Sequence, residues 1–186
     1  MKNRVTVAFL LVCSTVAYSS PYAGYSNLEY WAGDGASADN RATLVFDGGE
    51  GDHYAFGYGW DSGEKTGWNM LEAIANAGDL SETHEVNSWG NLITSLAYDS
   101  HSMTENGSWP PVAGETNIVY WESNDGDQWS MAGMGVSGNP ITDGAWNAFT
   151  ESDATAWPGS EPIPEPATMA LLGVGGICLL RRSRKQ

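Results

Sequence analysis

Two uncharged apolar segments bracket this chain, and they decide how much of it can fold as a domain. The first, Val5 to Ala17, follows Lys2 and Arg4 and leads into the small residues Ala17-Tyr18-Ser19-Ser20. That order of basic, apolar and small residues predicts a secretory signal peptide over residues 1–22, cleaved between Ala17 and Ala23. Leu10-Leu11-Val12-Cys13 falls short of a lipoprotein box, because Val12 stands where a small residue is needed. The second segment, 167–180, is expected to enter a bilayer as a transmembrane helix. Its 14 residues would make a helix of roughly 21 Å, against roughly 30 Å of hydrocarbon. Gly173, Gly175 and Gly176 weaken it further, so a temporary stop suits it better than a lasting anchor. Both cysteines, Cys13 and Cys178, lie inside these segments. The region between them has no thiol, hence no disulfide framework and no thiolate metal site.

The ends also carry most of the positive charge. Lys2, Arg4, Arg181, Arg182, Arg184 and Lys185 leave only Arg41 and Lys65 between Ser20 and Ser160, against 21 acidic residues, a net charge of −19 for that stretch. Nucleic acid is excluded as a partner, because neutralising phosphates needs clustered Lys and Arg. The about 140 residues that remain suffice for one domain with a real core. All nine tryptophans lie in that region, which argues against disorder despite the acidity.

Within residues 23–158 the pattern is mostly that of strands. Asn27 to Trp31, Arg41 to Phe46 and His53 to Trp60 alternate or run apolar, and Asp47 to Asp52 has the composition of a hairpin turn. Gly67 to Ala77 breaks this pattern, with Trp68, Leu71, Ile74 and Ala75 at helical spacing, Thr66 as its cap and Gly78 at its end. A strand at Leu92 to Tyr98 precedes a polar loop reaching about Gly114. Further strands are predicted at Asn117 to Glu122, Gln128 to Met134 and Ala145 to Thr150. A small, mostly antiparallel sheet with one packed helix, an α+β domain, satisfies this order. Trp68, Leu71 and Ile74 should be buried by the helix, and Trp121, Trp129 and Trp146 by the sheet.

The residues from 159 to 186 read as an address. Pro164-Glu165-Pro166 precedes the apolar run, and Arg181, Arg182, Arg184 and Lys185 follow it as a basic stop. The prolines keep the approach extended and out of helix. This arrangement resembles the PEP-CTERM sorting signal of exported Gram-negative bacterial proteins. The resemblance implies export by the secretion machinery, a stay in the inner membrane through the C-terminal segment, and processing by an exosortase, a membrane-embedded cysteine transpeptidase or protease. Delivery to the cell surface or into extracellular polysaccharide would follow. The recognition role is carried to Pro164, Glu165 and Pro166 alone.

A second resemblance covers roughly Thr66 to Thr150. Tyr120, Trp121, Trp129, Gly135, Val136, Ser137, Asp143, Gly144 and Trp146 are similar to the pattern of the transcobalamin C-terminal-like domain, a small β-grasp-like module. These are turn and core positions, so the likeness implies a fold. In transcobalamin the module encloses cobalamin together with a helical barrel, and this sequence holds no such barrel.

No catalytic constellation is visible. His53, His84 and His101 stand apart, without an HExxH, and an ordinary surface position suits each. There is no GxSxG elbow. Acid pairs such as Asp125/Asp127 and Glu50/Asp52 are what chance produces in so acidic a chain, although two carboxylates are also what glycoside hydrolysis needs. The same turns, DGGEGD at 47–52 and NDGD at 124–127, place oxygens where calcium could bind, while turn chemistry alone accounts for them. The expectation is a non-catalytic protein with no cofactor, calcium being the alternative. Trp109 and Trp157, each followed by proline in a loop, are the candidate glycan contacts for a polysaccharide-binding surface.

Overall fold

The computed structural model describes residues 28–48, 53–107, 112–152, 158–159 and 161–162. The signal peptide, the sorting motif with its apolar run and basic stop, Trp109 and Trp157 lie outside the described residues. In chain order the elements are β1 (Trp31–Gly33), β2 (Asn40–Asp47), β3 (His53–Trp60), β4 (Lys65–Thr66), α1 (Gly67–Ala77), β5 (Ser81–Asn87), β6 (Gly90–Tyr98), β7 (His101–Thr104), β8 (Asn117–Ser123), β9 (Ser130–Met131), β10 (Pro140–Ile141) and β11 (Trp146–Ser152). The described chain is thus mostly β-sheet with one short helix.

A six-stranded sheet in the order β1-β3-β2-β11-β8-β9 forms the centre, with a three-stranded sheet β5-β6-β7 and a short β4/β10 ladder beside it. The β2/β3 hairpin pairs in full register, from Asn40 opposite Trp60 to Asp47 opposite His53. Most pairings are antiparallel, as expected; β1 with β3 and β11 with β2 are parallel. β2 and β11 therefore form a central parallel pair, buried on both faces as such strands usually are.

Side-chain alternation divides the core in two. Ala42, Leu44 and Phe46 of β2, Phe56 of β3 and Phe149 of β11 face α1 and the smaller sheet. Val45, Ala55, Val119, Trp121, Trp146 and Ala148 face the other way, where Trp129 joins them. The glycines interleaved in β3 have a use on that second face. A Cβ on Gly57 would fall 2.6 Å from the Trp31 ring, and one on Gly59 only 2.0 Å from the Gly35 carbonyl oxygen. Aromatic bulk on one face of β3 is matched by close chain approach on the other.

The helix occupies the predicted residues and is capped by Thr66. Asn69 donates its backbone N–H to Thr66 Oγ1 at 3.4 Å, and Asn69 Oδ1 accepts the Thr66 N–H at 3.0 Å. Gly67 and Trp68 donate their N–H groups to the carbonyls of Asn139 and Val136, so the first turn is satisfied by the 135–139 loop. Met70, Leu71 and Ile74 are fully buried. Trp68 is only half-buried, because its ring packs edge-on against His84 of β5 at 4.5 Å instead of entering the core. Gly78 ends the helix with φ −154°, not in the left-handed cap expected of it; a Cβ there would collide with the Tyr30 ring at 2.4 Å. Trp121, Trp129 and Trp146 are buried, as the strand pattern requires.

Candidate functional site

Where β8 ends and β11 begins, a cleft of about 320 Å³ opens. Four amide side chains line it: Asn124 and Gln128 from the turn after β8, Asn139 from the loop before β10, and Asn147 from β11. Hydroxyls of Ser123, Ser130 and Thr142 add to them, Trp146 forms part of the wall, and Glu122 is the single carboxylate.

Two of the amides are held from below. Asn139 and Asn147 are 7% and 1% exposed. The Tyr120 hydroxyl donates to Asn147 Oδ1 and accepts from Asn139 Nδ2 at 3.4 Å, so one phenol sets the orientation of both. Burial pushes the Tyr120 pKa far above its ordinary value, with the Glu122 charge adding to this and the Asn139 hydrogen bond opposing it. The hydroxyl is a neutral, permanent donor at physiological pH. Gly67 makes room for it, since a Cβ at that helix position would stand 2.1 Å from the Tyr120 oxygen. The first helical residue, the β8 tyrosine and two loop and strand amides thus form one unit.

The NDGD turn on the rim of the cleft is closed upon itself. Asp125 Oδ1 accepts the backbone N–H groups of Asp127 and Gln128 and the Ser123 hydroxyl, each at 2.9 Å. These bonds, the one from Gln128 first, hold the Asp125 pKa below the usual carboxylate range. Turn chemistry occupies this oxygen. Among the described residues no three or more His, Cys, Asp or Glu side chains are grouped to hold a metal ion.

His53 departs from its expected surface position: its side chain is 10% exposed, and Nδ1 lies 3.0 Å from Asp47 Oδ1 across the hairpin. His84 Nδ1 lies 3.0 Å from Glu82 Oε2. The matched turn residues serve the fold. Asp143 Oδ1 accepts the Arg41 N–H at 2.9 Å, Gly144 donates to the Arg41 carbonyl at 2.7 Å, and Ser137 Oγ accepts the Asn91 N–H at 2.9 Å. Sequence reasoning did not single out Asn139, Asn147 or Glu122. The available signal was the glycine at the helix start, which requires a close neighbour.

Tyr30, Tyr58 and Tyr98 also have raised pKa values, all chiefly through burial. Tyr98 donates to Glu29 Oε2 at 3.2 Å and is pushed up to about 12 from 10.0. A raised folded-state pKa means that the folded domain keeps these protons while the unfolded chain loses them. The contribution is complete below pH 10 and lost as pH climbs from 10 through 12. Phenolate absorbance and circular dichroism followed together should show tyrosine ionisation coinciding with unfolding in that window; phenolate formation in a still-folded domain would contradict the burial of these rings.

Residues 162–185 match the family model of the PEP-CTERM protein-sorting motif. The matched span holds Pro164-Glu165-Pro166, the apolar run and the basic stop. No curated protein matches the chain. The chain thus carries a PEP-CTERM protein-sorting motif, and that motif implies export, a membrane-anchored transit and recognition by an exosortase.

Proposed function

We propose that the exported domain is a non-catalytic component of the cell envelope or extracellular matrix, and that the cleft above Tyr120 holds an uncharged, hydroxyl-rich ligand, a saccharide. The observation that carries this reading is the convergence of four amides and one carboxylate, two of the amides buried and oriented by a neutral phenol. Amides offer a donor and an acceptor each, the pairing that a sugar hydroxyl needs, and Trp146 supplies an apolar wall. A non-catalytic role is supported by Glu122 being the only carboxylate lining the cleft, since glycoside hydrolysis uses two. The strand order β3-β2-β11-β8, with α1 following the first hairpin and the first and last of these strands parallel at the centre, favours a β-grasp-like module. It suits the resemblance to the transcobalamin C-terminal-like domain.

A panel of neutral and acidic oligosaccharides, followed by tryptophan fluorescence and melting temperature, tests the reading. Neutral sugars should bind, and Glu122→Gln or Gln128→Ala should each weaken binding by about tenfold, the effect of losing a hydrogen bond to a charged or fixed partner. No response to any neutral sugar would sink it. A melting temperature raised by cobalamin alone would favour a corrinoid-binding module instead.

A further inference from the structure

Among the described residues one aromatic side chain is exposed, and it stands beside the loop that builds the cleft. Trp89 is 65% exposed, at the tip of the β5/β6 hairpin, next to Gly90, which pairs with Asn87. The tip is fixed to the 135–139 loop. Asn91 donates its backbone N–H to Ser137 Oγ at 2.9 Å, and a Cβ on Gly90 would fall 2.9 Å from Ser137 Cβ. The loop is held in turn by α1, whose Gly67 and Trp68 donate to the carbonyls of Asn139 and Val136, each at 2.9 Å. Ser137 stands two residues before Asn139, a buried amide of the cleft. Along this path the Cα atoms of Trp89 and Asn139 are at most about 17 Å apart. The exposed ring therefore has a fixed offset from the cleft.

The surroundings of the ring say what it suits. A protein interface is organised around a contiguous apolar centre with several anchors. Here Trp89 has only Val86 as an exposed apolar neighbour on the hairpin, and Asn87, Ser88 and Asn91 complete the tip. An anionic lipid surface is disfavoured by the strongly acidic exported region and by Glu82 and Glu85 on the same hairpin. A sugar ring fits both features: its apolar face stacks on indole, and its hydroxyls pair with amides and serines. Continuity decides between these occupants. A saccharide chain longer than the cleft runs out over a rim, and the rim at Asn139 leads through Ser137 to Trp89.

We infer that Trp89 is a second subsite, a stacking platform for a polysaccharide chain at a point beyond the stretch held in the cleft. The amides of the cleft orient one part of the chain, and the indole holds a later part by its apolar face. The inference rests on the saccharide reading of the cleft and makes its ligand a polymer. Once the cleft is filled, the following residues are held at high effective concentration beside the ring, so the second contact raises affinity. A short sugar cannot reach both points. Affinity therefore rises with chain length.

Calorimetric titration of the full-length chain in detergent with disaccharides and hexasaccharides of the cello-, chito- and malto-oligosaccharide series tests this. In at least one series the hexasaccharide should bind about tenfold more tightly than the disaccharide, the usual weight of one tryptophan anchor. Trp89→Ala should remove that gain and leave the disaccharide affinity and the melting temperature unchanged, since the ring is mostly outside the fold. Trp89→Phe keeps a flat face and should keep most of the gain. Equal affinity for both lengths in every series, or a gain that survives Trp89→Ala, overturns the inference and leaves the cleft reading standing. No binding in any series overturns both. Loss of self-association in Trp89→Ala, with its sugar affinities unchanged, would assign the tip to an interface between copies of the chain and also overturn the inference.

Discussion

Replacing Phe149 by Ala should lower the stability of the domain by about 3–5 kcal/mol, the usual cost of emptying a buried aromatic position. Phe149 is 2% exposed and sits on β11 between Phe46 and Tyr120, its paired residues on either side. Its ring stacks on that of Tyr120 with centroids 5.0 Å apart. No flexible side chain is available to refill the space, because its neighbours are aromatic rings and fixed strands. Small domains are stable by about 5–15 kcal/mol, so this one substitution removes a large share. Denaturant unfolding measures it. A loss under about 1 kcal/mol would mean that the central parallel pair does not organise the core. The same variant should loosen the cleft, since Asn147 shares that face of β11 and is held through Tyr120.

Changing Pro164, Glu165 and Pro166 together to alanine should abolish processing and leave the precursor intact in membranes. The tripeptide precedes the apolar run within the span that matches the sorting motif, and alanines would let the extended approach become helical. The basic stop would still resist passage, so the chain should remain at the membrane and keep Gln186. Mass spectrometry of the C-terminus distinguishes the outcomes. The melting temperature of the domain should not change, because the motif follows the last residues packed on the sheet. A precursor processed at the normal rate would show that recognition lies elsewhere in residues 162–185.

Local signals were read well from the residues alone. The α1 limits and those of β3 agree with the structure, because a capping threonine with a helical apolar stripe and a strand of alternating aromatics declare themselves within a few residues. β5 escaped notice: SETHEVN is polar and faces solvent along its length, so it carries no period-two hydrophobic signal. β7 hides in the presumed polar loop, with Met103 its one buried side chain. The strand expected at Gln128 to Met134 shrinks to Ser130 and Met131, since the Asp125 turn takes the residues before it. His53 is more buried than its local sequence suggests, because its partner, Asp47, is six positions away in sequence and directly opposite across the hairpin.

The sorting signal, the acidic thiol-free character of the exported region and the presence of a tryptophan-rich sheet with one helix were determined by sequence, since each depends on composition or on neighbours along the chain. The cleft was decided only by tertiary structure. Asn139, Asn147 and Tyr120 come together because a parallel pairing brings β11 beside β2, with β8 along its other edge. Contacts between residues distant in sequence leave no periodic trace; here only their glycines hinted that something must come close.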